Sequence, residues 1–187
     1  DHYPHTGRQT VPKSKGDIPK IFSPKQLFRF GLGTVATHHF ACGFAAGKFL
    51  FRGKDFQIVP NAIDAERFQY NETLRNEKRR ELGLTNQFIL GHVGRLTGVK
   101  NHEYLLKVFS QVLQLQPDSV LLVVGTGELE QRIRNQAEIL GITHRVMFLG
   151  NRADVSALYQ AMDIFVMTSL FEGVPLVGIE AQFAGLP

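Results

Sequence analysis

The sequence predicts an α/β protein built on a doubly wound parallel sheet, joined to a remnant of a second domain of the same type. Two observations carry this. From about residue 87, short apolar runs alternate four times with segments whose apolar residues recur at helical spacing. The runs are apolar throughout, as in strands covered on both faces of a parallel sheet, instead of alternating with polar residues.

"QFILGHV" (87–93) is the first such run, and "NHEYLLKVFSQVLQLQ" (101–116) is its helix, with Leu105, Leu106, Phe109, Val112 and Leu113 at helical spacing. Asn101 is the expected N-cap and Pro117 the stop. "SVLLVVG" (119–125) reads as the second strand and "ELEQRIRNQAEILG" (128–141) as a helix closed by Gly141. "RVMFLG" (145–150) and "DVSALYQAM" (154–162) repeat the unit. "DIFVMTS" (163–169) and "VPLVGIEAQFAG" (174–185) repeat it again, with Pro175 suited to a first helical turn.

The first eighty residues are less regular. A polar, basic start leads to a β-like "TVATHHFAC" (34–42), a short helix "FAAGKFLFR" (44–52) and a strand at "FQIVP" (56–60). "NAIDAERF" (61–68) reads as a linker or turn. These elements are too few for a second sheet, so residues 1–59 read as the tail of another domain and 60–187 as the regular one. The alternation predicts a further strand after "AGLP" (184–187), so the chain reads as a fragment at both ends. The cluster "EKRRE" (77–81) reads as a solvated helix face, its cations balanced by flanking glutamates.

The 187 residues, 43% hydrophobic and 20% charged, suit one domain plus part of another. The single cysteine, Cys42, excludes an internal disulfide and fits a reducing compartment. The opening residues are polar and do not read as a signal peptide, and "TVATHHFACGFAAGKFLF" (34–51) is too short and too polar to span a membrane. The expectation is a soluble cytoplasmic protein. A formal charge of +4 admits nucleic acid, anionic lipid or a phosphorylated small molecule as partner.

In an open parallel sheet, ligands bind outside the carboxyl ends of the strands. That selects four loops: "GRLTGVKNH" (94–102), "GTGELE" (125–130), "GNRAD" (150–154) and "SLFEGVP" (169–175). In the first, Arg95 and Lys100 lie beside Gly94 and Gly98, and two cations at a strand end suit a diphosphate. "GTGELE" lacks the third glycine of a dinucleotide fingerprint, and no P-loop occurs. In the last, Glu172 precedes a helix whose free N–H groups would face an anion, Gly173 lets the backbone approach a ligand, and Glu180 lies further along. Carboxylates beside a diphosphate site must bind something neutral and rich in hydroxyls, which a nucleotide sugar supplies. His2, His5, His38 and His39 lack the companions of a metal site, so no metal is expected.

"GHVGRLTGVKNHEYLL", "VVGTGELE", "VMFLGNRADVSALYQAMDIFVMTS" and "FEGVPLVGIEAQFAGLP" resemble, in order, the carboxyl-terminal domain of retaining glycosyltransferases of family 4, most closely bacterial capsular and exopolysaccharide enzymes. "IVPNAID" resembles that family's junction between two Rossmann-like domains, and "HHFACGFAAGKFLF" the end of the amino-terminal one. The resemblance implies a GT-B fold and no cofactor or metal. It implies transfer of a sugar, with retention, from a nucleotide-sugar donor (a UDP-sugar) to a glycan or lipid-linked acceptor. Arg95 and Lys100 would hold the diphosphate, Glu172 the transferred sugar and Glu180 the ribose. The backbone of Gly173, Val174 and Pro175 would line the sugar–phosphate site, with that of Gly94 beside the cations and that of Asn151 and Arg152 at the base. Catalysis would fall to Glu172, Arg95 and Lys100, and the isolated fragment is expected to transfer nothing. Peripheral contact with the inner face of a membrane stays open; nucleic acid is not an expected partner. Two rival readings also stay open, a GT-B nucleotide-sugar epimerase and a non-catalytic nucleotide-sugar-binding module.

Overall fold

In the computed structural model, which describes residues 35–51 and 53–187, the chain divides between Ile58 and Val59. Before the division lie β1 (Phe40–Ala41), α1 (Phe44–Phe51) and β2 (Gln57–Ile58), with β1 and β2 paired in parallel. The β-like stretch 34–42 thus contributes only two paired residues. Gly47 in α1 is required by packing, because a Cβ there would lie 2.1 Å from the ring of Phe56. The sequence readings for residues 1–34 lie outside the described residues.

After the division come α2 (Ala65–Phe68), α3 (Glu72–Glu81), β3 (Ile89–Val93), α4 (His102–Leu115), β4 (Val120–Val124) and α5 (Glu130–Ile139). β5 (Val146–Gly150), α6 (Val155–Ala161), β6 (Ile164–Phe165) and α7 (Leu176–Phe183) complete the unit. The strands are parallel in the order β5-β4-β3-β6. The chain therefore builds outward from β3 to β5, then returns to the other side of β3 to lay down β6. That reversal is the switch point of a doubly wound sheet, and it makes the loops after β3 and β6 neighbours.

The pleat sorts the strand side chains onto two cores. Val120, Leu122 and Val124 join Leu158, Tyr159 and Met162 on one face. Leu121 and Val123 join Leu105, Phe109 and Ile133 on the other. Each such side chain contributes about 1.5–3 kcal/mol when fully buried, so the apolar runs suffice to hold the sheet between its helices. Gly91, in the middle of β3, leaves room for Met162: a Cβ there would meet its sulfur at 1.9 Å.

Several expectations need correction. The "linker" 61–68 contains α2, and α3 follows it, capped by Asn71, whose side chain accepts from Leu74 N at 2.9 Å. The cluster 77–81 is not a solvated face: Lys78 is 8% and Arg79 7% exposed. Lys78 Nζ bonds Glu81 at 2.5 Å and Asp154 at 2.8 Å. Arg79 donates to the carbonyls of Leu84, Gln87 and Ala161 and pairs with Asp163, which also takes Arg75. The face of α3 bearing these cations packs on α6 and the start of β6, where distant carboxylates and open carbonyls replace water.

Asn101 stands at the start of α4, but in a left-handed conformation (φ 53°) and without a side-chain cap bond. It turns the chain from the 3₁₀ turn Gly98–Lys100 into the helix, a geometry asparagine tolerates better than most residues. β6 keeps only two ladder residues of the expected seven-residue run. Pro175 is the residue before α7, with an extended ψ of 115°, and does not form part of its first turn. Among the described residues no helix is long and apolar enough to cross a membrane.

Candidate functional site

The loop after β3 is seated by backbone bonds to the loop after β4: Gly94 N to Val124 O at 2.9 Å, Leu96 N to Thr126 O at 3.0 Å, and Leu129 N to Leu96 O at 3.1 Å. The glycines of "GTG" permit this contact. A Cβ on Gly125, whose φ is +129°, would lie 2.1 Å from Gly94 O, and one on Gly127 would lie 2.4 Å from Leu96 O. The G-x-G here lets two loops touch. Leu96 is fully buried and anchors the loop, while Arg95 beside it is exposed. No hydrogen bond or ion pair engages the Arg95 side chain among the described residues.

From β6 the chain runs back along this loop. Val166 N donates to Gly91 O at 2.8 Å, extending the ladder by one bond. The Thr168 hydroxyl lies 3.1 Å from Lys100 O and 3.2 Å from Asn101 O, and Leu170 N donates to Val99 O at 2.8 Å. These contacts bring Lys100 Nζ within 2.6 Å of Glu172 Oε1, with side chains 20% and 23% exposed. The Lys100 ammonium holds the Glu172 carboxyl below the usual carboxylate range.

Behind the pair lie two buried histidines. The His92 ring, 1% exposed, places Nδ1 at 2.9 Å from Val166 O; a carbonyl can only accept, so Nδ1 carries the proton. His102 packs against it edge to face, with ring centroids 4.6 Å apart. Burial, more than the nearby Lys100 charge, keeps both rings neutral, lowering His92 and pushing His102 down to about 4.

Glu180 lies on α7, where its Oε2 accepts from the hydroxyl of buried Tyr159 at 3.0 Å. Burial first, and Glu180 second, push the Tyr159 hydroxyl up, so it stays protonated and donating. The Val174 carbonyl is held by Asn61 Nδ2 at 2.8 Å, and nothing lies within 4 Å of where a Cβ on Gly173 would stand. The loop after β5 is clasped from α2 and α3. Arg152 forks onto Asp154 with two bonds of 2.7 Å, Lys78 meets the same carboxylate, and Arg67 reaches Ala153 O at 3.3 Å. Arg152 thus spends its side chain locally, beside an exposed Asn151. Among the described residues, no hydrogen bond joins Arg152 or Glu180 to the Lys100–Glu172 pair, and no group of three potential ligands could hold a metal.

Sequence reasoning passed over His92, His102, Tyr159 and Asn61. The available signal was a lone histidine inside the apolar run "FILGHV", where valine or isoleucine would be ordinary.

Residues 75–187 match the family model of the group 1 glycosyl transferases. The chain belongs to that family. Its α/β architecture agrees with solved GT-B glycosyltransferases, among them Anabaena HepE in complex with UDP-glucose, 27% identical with a TM-score of 0.78 over 89% of this chain and 48% of that one. HepE has also been solved with UDP and glucose together, at 25% identity over 89% of this chain and 48% of that one, again with a TM-score of 0.78. A putative glycosyltransferase of Bacillus subtilis, EpsF, is 37% identical over 86% of this chain and 44% of its own length. An Escherichia coli UDP-Gal:α-D-GlcNAc-diphosphoundecaprenol α-1,3-galactosyltransferase is 37% identical over 70% of this chain and 35% of its own. This group 1 glycosyltransferase chain therefore spans less than half the length of these relatives.

Proposed function

We propose that this chain is the donor-binding part of a retaining glycosyltransferase that moves a hexose from a UDP-sugar to a glycan or lipid-linked acceptor in polysaccharide synthesis. The observation that carries the reading is the Lys100–Glu172 pair: a cation and a carboxylate from neighbouring strand-end loops, 2.6 Å apart at the switch point of the sheet. The UDP and UDP-glucose bound by HepE support the donor class, and the E. coli relative's lipid-linked substrate supports the acceptor class.

In this reading an arriving diphosphate competes with Glu172 for the Lys100 ammonium, and Arg95 offers its guanidinium fork to the same phosphates. The two cations stabilise the charge that develops as the nucleoside diphosphate departs, and no metal or other cofactor is expected to be needed. Released from Lys100, the Glu172 carboxylate accepts hydrogen bonds from hydroxyls of the sugar. Glu180, one oxygen held by Tyr159, offers the other to the ribose diol. The backbone of 173–175, pinned at Val174 by Asn61, lines the sugar–phosphate site, and that of Asn151 and Arg152 meets the base. Retention follows from attack on the face the diphosphate leaves, the departing phosphate taking the acceptor's proton. The enzyme would work on the cytoplasmic side, in peripheral contact with the membrane.

The test is calorimetric titration of the chain with uridine, UDP and UDP-glucose. UDP should bind at least about tenfold tighter than uridine, since each charged hydrogen bond to phosphate is worth about 1.5–3 kcal/mol. Equal affinity for uridine and UDP would remove the diphosphate from the site and the reading with it.

A further inference from the structure

A buried histidine in the middle of a sheet is an expensive choice. His92 Nε2 and both ring nitrogens of His102 have no hydrogen-bond partner among the described residues. Burying a polar atom without a partner is costly, and valine at position 92 would leave none. The imidazole must supply something an aliphatic side chain lacks.

What it supplies is a donor at the point where β6 gives out. The β3–β6 ladder pairs only Leu90 with Ile164 and Gly91 with Phe165. Beyond it Val166 makes one backbone bond through its N–H, to Gly91 O. Its carbonyl, which a longer strand would satisfy from the ladder, is taken by His92 Nδ1–H at 2.9 Å. From there the chain is stitched to the Lys100 loop at Thr168 and Leu170 before it reaches Glu172. On its other edge, His92 shares one small space with Lys100. A Cβ placed on Gly94 would lie 3.3 Å from His92 Nε2 and 3.4 Å from Lys100 Cε. His102 closes edge-on against the ring and fixes its rotamer. The charged groups facing this ring are Lys100 and Glu172, and both histidines stay uncharged behind the ammonium.

We infer that His92 is a positioning residue: its Nδ1–H ties the end of β3 to the segment 166–172, and through that tie it sets where Glu172 meets Lys100. The tie is a property of the fold itself. Its consequence for donor binding rests on the function proposed above, and the two are tested by different measurements.

The substitutions are His92→Asn, whose amide N–H stands close to the place of Nδ1 but leaves a void, and His92→Phe, which fills the volume but donates nothing. The first readout is hydrogen exchange at the Leu170 amide, referenced to Leu121 in the core. In the Phe variant Leu170 should exchange about tenfold faster than Leu121 accounts for, as loss of roughly one hydrogen bond implies, while the Asn variant stays within about threefold of wild type. Unchanged Leu170 protection in the Phe variant overturns the inference whatever ligand the site takes, as does equal loss in both variants. Should the Phe variant not fold, nitrogen NMR of the wild-type ring decides: a proton on Nε2 in place of Nδ1 overturns it.

The second readout is UDP-glucose affinity. The Phe variant should lose about tenfold and the Asn variant little, and Lys100→Met should cost less in the Phe background than in wild type, because the two residues act in series. Failure of wild type to bind any nucleotide, with the exchange pattern intact, would sink the donor reading and leave the tie standing. Additive losses would show that His92 does not act through Lys100.

Discussion

Lys100 Nζ and Glu172 Oε1 stand 2.6 Å apart across 72 residues of sequence. They meet because β6 returns to the flank of β3 instead of continuing beyond β5. With side chains 20% and 23% exposed, the pair is partly screened by solvent and is worth on the order of 1 kcal/mol. A charged hydrogen bond to a phosphate is worth about 1.5–3 kcal/mol, so an incoming diphosphate can take the ammonium and leave the carboxylate free. The pair is therefore a resting arrangement that a doubly charged ligand is able to undo.

The first prediction follows from that competition. Arg95→Ala and Lys100→Ala should each weaken UDP by about 1.5–3 kcal/mol and leave uridine nearly unchanged. Among the described residues Arg95 has no partner to release, so its loss should be the larger. Titration with both ligands checks this, and equal losses for uridine and UDP would remove the two cations from the phosphates.

The helix α3 offers a stability test. Asp163 accepts from Arg75 and Arg79 and also from Ile89 N at 2.7 Å, so it joins the helix to the start of the sheet. Asp163→Ala would leave the buried Arg79 without its carboxylate, at a cost of about 3–5 kcal/mol in urea unfolding. If the cluster were a solvated face, the change would stay within about 0.5 kcal/mol.

That contrast shows what a sequence displays and what it hides. β4 and β5 were legible because each is an uninterrupted apolar run, and β3 because only a single histidine breaks its own; burial on both faces leaves that mark directly. The rim was legible because the strand-end rule needs only strand order, and it drew attention to Lys100 and Glu172 before their contact was known. Arg79 was misread because its partners, Asp163 and the Ala161 carbonyl, lie over eighty residues away, and local charge balance could not reveal them. β6 looked longer than it is because "VMTS" is as strand-like as "DIF". Side-chain and backbone stitches to the Lys100 loop, which no periodicity encodes, take over after Phe165. His92 matters through one bond and Tyr159 through one hydroxyl, which lies within reach of both Glu180 and the Val177 carbonyl, and a single letter in an apolar run carries little statistical weight.

The histidine pair predicts how stability responds to pH. His102 titrates near 6.5 when unfolded and about 4 when folded, because burial resists its charge. Between those values the unfolded chain binds a proton the fold refuses, so stability falls as pH drops from 6.5 towards 4 and is fully present above 6.5. His92, also lowered, adds in the same direction. Glu172 and Asp154 are depressed carboxylates, and their stabilisation is lost only as pH falls through and below the ordinary carboxylate range, so it is still largely present at pH 5. Denaturant midpoints at pH 7 and pH 5 should therefore differ, and His102→Phe should reduce the difference. An unchanged difference in that variant would assign the proton uptake elsewhere.

The last prediction separates the two glutamates. Glu172 pairs with the Lys100 ammonium, so Glu172→Gln removes a competitor for it. UDP should bind as well as before or tighter by up to about 1 kcal/mol, the worth of a partly exposed pair. UDP-glucose should gain less, because the amide accepts sugar hydroxyls more weakly than the carboxylate. In the complete enzyme the same change should act mainly on turnover, since contacts to the sugar strengthen as positive charge develops on its ring. Glu180 lies against Tyr159 and away from that competition. If Glu180 takes the ribose diol as proposed, Glu180→Gln should weaken that acceptance and lower UDP and UDP-glucose affinity together. Its amide can still accept from Tyr159, so thermal stability should change little. Titrations of uridine, UDP and UDP-glucose against both variants give the full comparison. If Glu172→Gln weakens UDP as much as Glu180→Gln does, Glu172 holds part of the nucleotide, and the ion pair with Lys100 is a strut of the site that the donor does not break.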